Sequence, residues 1–221
     1  MVDNKSTTDR ESESVKRNNA LKQVFNVPNI LTYSRIIIIP IFVALFYVHF
    51  TSHYLVCAVL FILACITDLF DGAIARKYNL VTNLGKFLDP IADKVLVMTG
   101  LILFLTVPEI FCGNLNDWAI ILAGCGVAVI FARELIVSGF RMVAASSGEV
   151  IAADKIGKYK TLFQDLCVGF LLVGEGVIEL TDNIAGVVIN LTGVTLFIIS
   201  VILTVVSGVN YIVKNIHVMK R

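Results

Sequence analysis

Six apolar runs, at about 29–50, 54–72, 87–107, 117–140, 161–180 and 184–212, constrain this chain more than any other feature. A bilayer core of about 30 Å takes roughly 20 apolar residues in helical form, and each run has that order of length. Charged side chains make up only 16% of the 221 residues, well below the roughly 25% of soluble domains. The expected fold is therefore all-α and integral to a membrane, with six transmembrane helices. The first run lies behind a charged head, is too long for the core of a cleavable signal and has no small-residue cleavage pattern after it, so it is expected to stay as a helix.

Lys and Arg set the orientation, because short cytoplasmic connections keep an excess of them. If the N-terminus is inside, the inward segments are 1–28, 73–86, 141–160 and the tail after 212. The outward connections, near 51–53, 108–116 and 181–183, contain neither Lys nor Arg. All 18 basic residues fall in inward segments or close to the inner ends of spans. Both termini are thus expected in the cytoplasm, with the protein multi-pass in the inner (cytoplasmic) cell membrane.

Residues 1–20 are polar and poor in large apolar groups, as in a disordered head, and 21–28, LKQVFNVP, suits a short interfacial helix. The chain divides into a head, 1–25, and one six-helix domain, 26–221. Asn29, Thr32 and Arg35 are spaced to share one helix face. Cys57, Cys65, Cys112, Cys125 and Cys167 form no CxxC pair and read as small apolar side chains. His49 and His53 read as outer-loop residues, and His217 as part of the tail.

Against this apolar background the stretch 68–94, DLFDGAIARKYNLVTNLGKFLDPIADK, concentrates charge. Asp68 and Asp71 are three apart and Asp89 and Asp93 four apart, so on helices each pair shares a face. The topology puts both pairs at the inner ends of spans two and three. Carboxylates at that depth need compensating positive charge. Arg76, Lys77, Lys86 and Lys94 can supply some of it, in which case the aspartates are helix caps and ion-pair partners. Hard divalent cations supply it better, since Mg²⁺ binds carboxylates together with substrate phosphates and two ions can share four carboxylates.

The full pattern, Asp68-x2-Asp71-Gly72-x2-Ala75-Arg76-x8-Gly85-x3-Asp89-x3-Asp93, resembles the signature of the CDP-alcohol phosphatidyltransferase family at every fixed position. The resemblance implies a six-helix membrane enzyme, usually a homodimer, with a polar cavity open to the cytoplasm. It implies that Asp68, Asp71, Asp89 and Asp93 hold two divalent ions, Mg²⁺ first and Mn²⁺ second, and that Asp93 is also the catalytic base. It further implies that Pro28, Asn29, Ile30, Leu31 and Thr32, with Asp68, Gly72, Ala75, Arg76, Thr82 and Gly85, bind CDP-diacylglycerol. The physics agrees: Gly72 and Ala75 allow close approach of a nucleotide to the helix, and Arg76 offers a planar fork to a diphosphate oxygen.

The acceptor must be read elsewhere. Arg133, Arg141, Lys158 and Lys160, with Thr161, would suit an acceptor that carries its own phosphate, although positive-inside topology demands basic residues on this side whatever the substrate. Lys158, Thr161 and Asp165 lie on one helical stripe, and Lys155 reads as a loop charge. The stretches NVPNILTYSRIIIIPIF, DPIADKVLV, AREL, IVSGFR and GKYKT are similar to the bacterial branch of the family that joins CDP-diacylglycerol to glycerol 3-phosphate and releases CMP. Serine, inositol phosphate and phosphatidylglycerol stand as other acceptors for the same chemistry. An ion or solute transporter is the rival from another class, but transporter sites lie near the midplane between internal repeats, and no repeat is visible. No nucleic acid is expected among the partners.

Overall fold

Each of the six apolar runs has most of its length on one helix. The computed structural model describes residues 27–78, 83–107, 109–112, 117–146, 155–181 and 183–215, with side chains described for 32–67, 91–92, 94–107, 109–111, 118–144, 156–181 and 183–215. Among these residues the order is α1 (Val27–Tyr47), α2 (His53–Tyr78), α3 (Asn83–Thr106), α4 (Glu109–Cys112), α5 (Asp117–Ser146), α6 (Lys155–Thr181) and α7 (Ile184–Asn215). The expected head and interfacial helix, up to residue 26, lie outside the described residues.

Among the described residues three segments are long and apolar enough to cross a bilayer: Trp118–Ala144, Ile156–Thr181 and Ile184–Asn215, of 27, 26 and 32 residues. At about 1.5 Å per residue each reaches roughly 40 Å, more than the hydrocarbon thickness. Shorter apolar stretches, Thr32–Tyr47, His53–Thr67 and Lys94–Thr106, lie on α1, α2 and α3. Trp118, Leu122, Ile184 and Leu191 turn outward with 65–77% of their surface exposed, an arrangement suited to hydrocarbon and costly in water. The chain is a helical membrane protein.

Two features depart from the pattern of the runs. The helices extend past the apolar stretches, α2 to Tyr78 and α3 back to Asn83, and α6 begins at Lys155. Helix propagation needs backbone hydrogen bonds and good helix formers such as Ala, Arg and Lys, and hydrophobicity is not required. The connection expected to face outward, 108–116, contains the short helix α4.

The chain forms two compact units: 1–40 with 63–96, and 41–62 with 97–221. The division in α1 falls at Pro40, where the ring removes a backbone donor and crowds the preceding turn. In the second unit α6 and α7 form an antiparallel pair, tied by Asn190 donating to Glu175 Oε1 at 2.7 Å. Gly174 makes the approach close: a Cβ there would lie 2.7 Å from the backbone nitrogen of Asn190. No rotamer change relieves a clash with backbone, so Gly174→Ala is expected to destabilise the protein by roughly 1–3 kcal/mol. The purified protein should melt several degrees lower; an unchanged melting temperature would show that the two helices separate freely.

The second unit also corrects one reading of the sequence. His53 is not a loop side chain; it begins α2 with 5% of its surface exposed. Its Nδ1 lies 3.1 Å from Glu179 Oε1, and the same oxygen accepts from the Ser52 amide at 3.1 Å. This tether to α6 secures Ser52 in the left-handed region, φ 71°, which side chains other than glycine rarely occupy. Cys57, Cys125 and Cys167 carry free thiols.

Candidate functional site

Helix α2 runs unbroken through Asp68, Asp71, Gly72, Ala75 and Arg76, and α3 through Gly85, Asp89 and Asp93. The helical backbone that puts residues three or four apart on one face is therefore present at both aspartate pairs. Both pairs belong to the first unit, together with the start of α1, which carries Pro28, Asn29, Ile30, Leu31 and Thr32. The side chains at 28–31, 68, 71–76, 85, 89 and 93 lie outside those described, and Thr82 lies outside the described residues altogether. Thr32 and, one turn on, Arg35 are each only 1% exposed. The face of α1 that Asn29, Thr32 and Arg35 share by spacing is thus a buried one at the two described positions.

The second unit contains a buried ionic cluster. Arg133 and Glu134 follow one another on α5 and Lys160 lies on α6. Glu134 Oε1 accepts from Arg133 Nη1 at 2.9 Å and from the Lys160 ammonium. Glu134 is 7% exposed and Lys160 fully buried, so the carboxylate and its cations stabilise one another where water cannot. Arg133 Nη2 donates to Ser207 Oγ of α7 at 3.1 Å. A Cβ at Gly208 would lie 3.1 Å from Arg133 Cγ, so the small residue leaves the arginine room against α7. Arg133 Nε is buried without a hydrogen-bond partner.

The other residues expected at an acceptor phosphate are placed differently. Arg141 is exposed, with its guanidinium carbon 5.7 Å from the centroid of the Tyr211 ring. Lys158 is exposed, and Thr161 donates to the carbonyl of Lys158 at 2.9 Å. Asp165, nearly three turns into α6, is partly buried. The structure thus brings Arg133 and Lys160 together through Glu134, while Lys158 is exposed and Thr161 half-buried near the start of α6.

A polar seam on α7 was not anticipated from the sequence. Ser200, Thr204 and Ser207 are fully buried, and Tyr211 is 2% exposed. The three hydroxyls donate to carbonyls of the preceding turn, at 2.8 Å to Phe197, 2.6 Å to Ser200 and 3.2 Å to Thr204. Gln164 of α6 reaches Thr204 Oγ1 at 3.5 Å. The spacing i, i+4, i+7, i+11 along an apolar helix marks one face and was a legible signal. By contrast, the hollow of about 320 Å³ lined by Phe111, Leu122, Gly126 and Phe197 is apolar and offers nothing to a phosphate. Among the described side chains no group of three or more His, Cys, Asp or Glu residues is placed to hold a metal ion; the four aspartates lie outside that set.

Apolar helices that surround a buried ionic cluster define a multi-helix membrane protein with a polar interior site. A family model described as CDP-alcohol phosphatidyltransferase matches residues 25–210. The CDP-diacylglycerol--glycerol-3-phosphate 3-phosphatidyltransferase of Rickettsia typhi is 41% identical over 170 residues, 74% of this chain and 86% of that relative. The proteins of the same name from Bacillus subtilis and Salmonella paratyphi A are each 41% identical, covering 71% and 67% of this chain and 81% and 77% of theirs. The chain belongs to the CDP-alcohol phosphatidyltransferase family and is a membrane-bound transferase.

Proposed function

We propose that the protein transfers the phosphatidyl group of CDP-diacylglycerol to glycerol 3-phosphate, giving phosphatidylglycerol phosphate and CMP. The acceptor hydroxyl oxygen forms a bond to the β-phosphorus, the bond from that phosphorus to the CMP oxygen breaks, and Asp93 takes the hydroxyl proton. Asp68, Asp71, Asp89 and Asp93 offer an all-oxygen, anionic donor set on helical backbone within one compact unit. That chemistry fits two hard divalent ions, Mg²⁺ or Mn²⁺. When bound, such ions neutralise the diphosphate and stabilise the departing oxygen. Gly72, Ala75, Arg76, Thr82 and Gly85, with 28–32, are assigned to the CDP group, and Arg133, Arg141, Lys158, Lys160 and Thr161 to the acceptor phosphate. The six-span topology, cytoplasmic termini, inner-leaflet site, single domain over 26–221 and homodimer belong to the same reading.

The observation that carries the acceptor is Arg133: a guanidinium fixed by Glu134 and Ser207, with a buried N–H still unengaged. Guanidinium N–H groups favour phosphate oxygens. Names of relatives from three genera support the same substrates. The test is CMP release by the purified protein from CDP-diacylglycerol with glycerol 3-phosphate, serine, inositol phosphate or phosphatidylglycerol. Glycerol 3-phosphate is expected to be used, with turnover lost on chelation and restored by Mg²⁺. Lipid product from another alcohol alone would overturn the acceptor, and full turnover after chelation would overturn the metals.

A further inference from the structure

Two buried polar atoms along the contact between α5 and α7 have no hydrogen-bond partner: Arg133 Nε and the hydroxyl of Tyr211. We propose that both serve one anion seat, in which Tyr211 donates to the phosphate of the acceptor and is a specificity-determining residue for phosphorylated acceptors. This rests on the reading of the acceptor as glycerol 3-phosphate.

Helices α5 and α7 run parallel at this contact, so their partners advance together from Arg133 with Ser207 to Phe140 and Arg141 with Tyr211. Ser207 and Tyr211 are four apart and share a face, one turn from each other along the contact. The Tyr211 ring is fixed edge-on to Phe140, with centroids 6.3 Å apart and planes at 84°, and by the Arg141 guanidinium 5.7 Å from its centroid. Those contacts explain why the ring is buried. They leave its hydroxyl unexplained, and native folds seldom bury a donor without an acceptor.

Charge points the same way. Arg133, Arg141 and Lys160 against Glu134 leave two positive charges, close to the charge a phosphate monoester carries at neutral pH. Arg133 Nη1 and Nη2 each have a partner, in Glu134 and Ser207, so Nε is the one nitrogen of this guanidinium that is buried with no partner. A phosphate monoester has the acceptor oxygens to meet both Nε and a phenol, whereas serine or an unphosphorylated polyol has no dianion to offer.

Tyr211→Phe removes the hydroxyl alone. In the purified full-length variant, KM for glycerol 3-phosphate is expected to rise roughly tenfold to hundredfold, the effect of one hydrogen bond to a charged group. The KM for CDP-diacylglycerol and kcat should hold, the split that marks loss of uniform binding. Without added anion the variant should melt at or above the parent, because an unpartnered buried hydroxyl is gone. Inorganic phosphate should raise the melting temperature of the parent more than that of the variant. A variant that melts lower without anion would show a structural role and overturn the seat. An unchanged KM in a parent enzyme that does use glycerol 3-phosphate would overturn the seat alone. No CMP release by the parent with glycerol 3-phosphate would overturn the acceptor reading, and the seat with it.

Discussion

Asp93→Asn is expected to insert and fold as the parent does while phosphatidyl transfer falls by roughly a thousandfold. Asparagine preserves size and helix register on α3 but removes both the negative charge and the basicity of the carboxylate. A positioned base contributes about 10²–10⁴ in rate, and the same carboxylate is assigned as a metal ligand. The two losses separate by comparison with Asp89→Asn, four residues earlier on the same helix. Asp89 is assigned only to metal, so excess Mg²⁺ should recover much of the Asp89→Asn activity by mass action. It should recover little in Asp93→Asn, because no added metal replaces a proton acceptor. CMP release at rising Mg²⁺ reads the contrast. Full activity in Asp93→Asn removes both assigned roles; full rescue by Mg²⁺ leaves Asp93 as ligand only.

What could be read in advance depended on the range over which each feature is determined. The all-helical fold followed from run length and the bilayer requirement that backbone groups bond within the segment. The aspartate signature was legible because its spacing is local, set by helix geometry within α2 and within α3. The full reach of the helices, to Tyr78 and back to Lys155, was missed although Ala75 and Lys158 were read as helical, because polarity there marks the end of the apolar run, not of the helix. His53 was misplaced because its partner Glu179 is 126 residues away. The same limit applies to the acceptor cluster. Basic residues near an inner end satisfy topology and phosphate binding equally well, and only Glu134, 26 residues from Lys160, distinguishes a buried paired lysine from an exposed one such as Lys158. Ser207, 74 residues from Arg133, is invisible on the same grounds, although the α7 stripe to which it belongs could have been counted.

That long-range pairing predicts strong non-additivity at Glu134 and Lys160. Glu134→Gln keeps the shape of the side chain but removes the negative charge that the buried Lys160 ammonium and Arg133 share. Removing one partner of a buried ion pair costs about 3–5 kcal/mol, so the variant is expected to melt far below the parent. Lys160→Met strands less charge, since Glu134 still has Arg133 Nη1 at 2.9 Å, and should cost less than Glu134→Gln. Combining the two removes both charges of the pair and leaves Arg133 with Ser207. The double variant is therefore expected to melt above Glu134→Gln, a coupling that additive, independent sites cannot produce. Additive losses in melting temperature would show that the two side chains act separately. Activity need not follow stability: Glu134 fixes the guanidinium through Nη1, so a double variant that regains its fold should still have a raised KM for glycerol 3-phosphate. Recovery of both would mean that Ser207 alone suffices to orient Arg133.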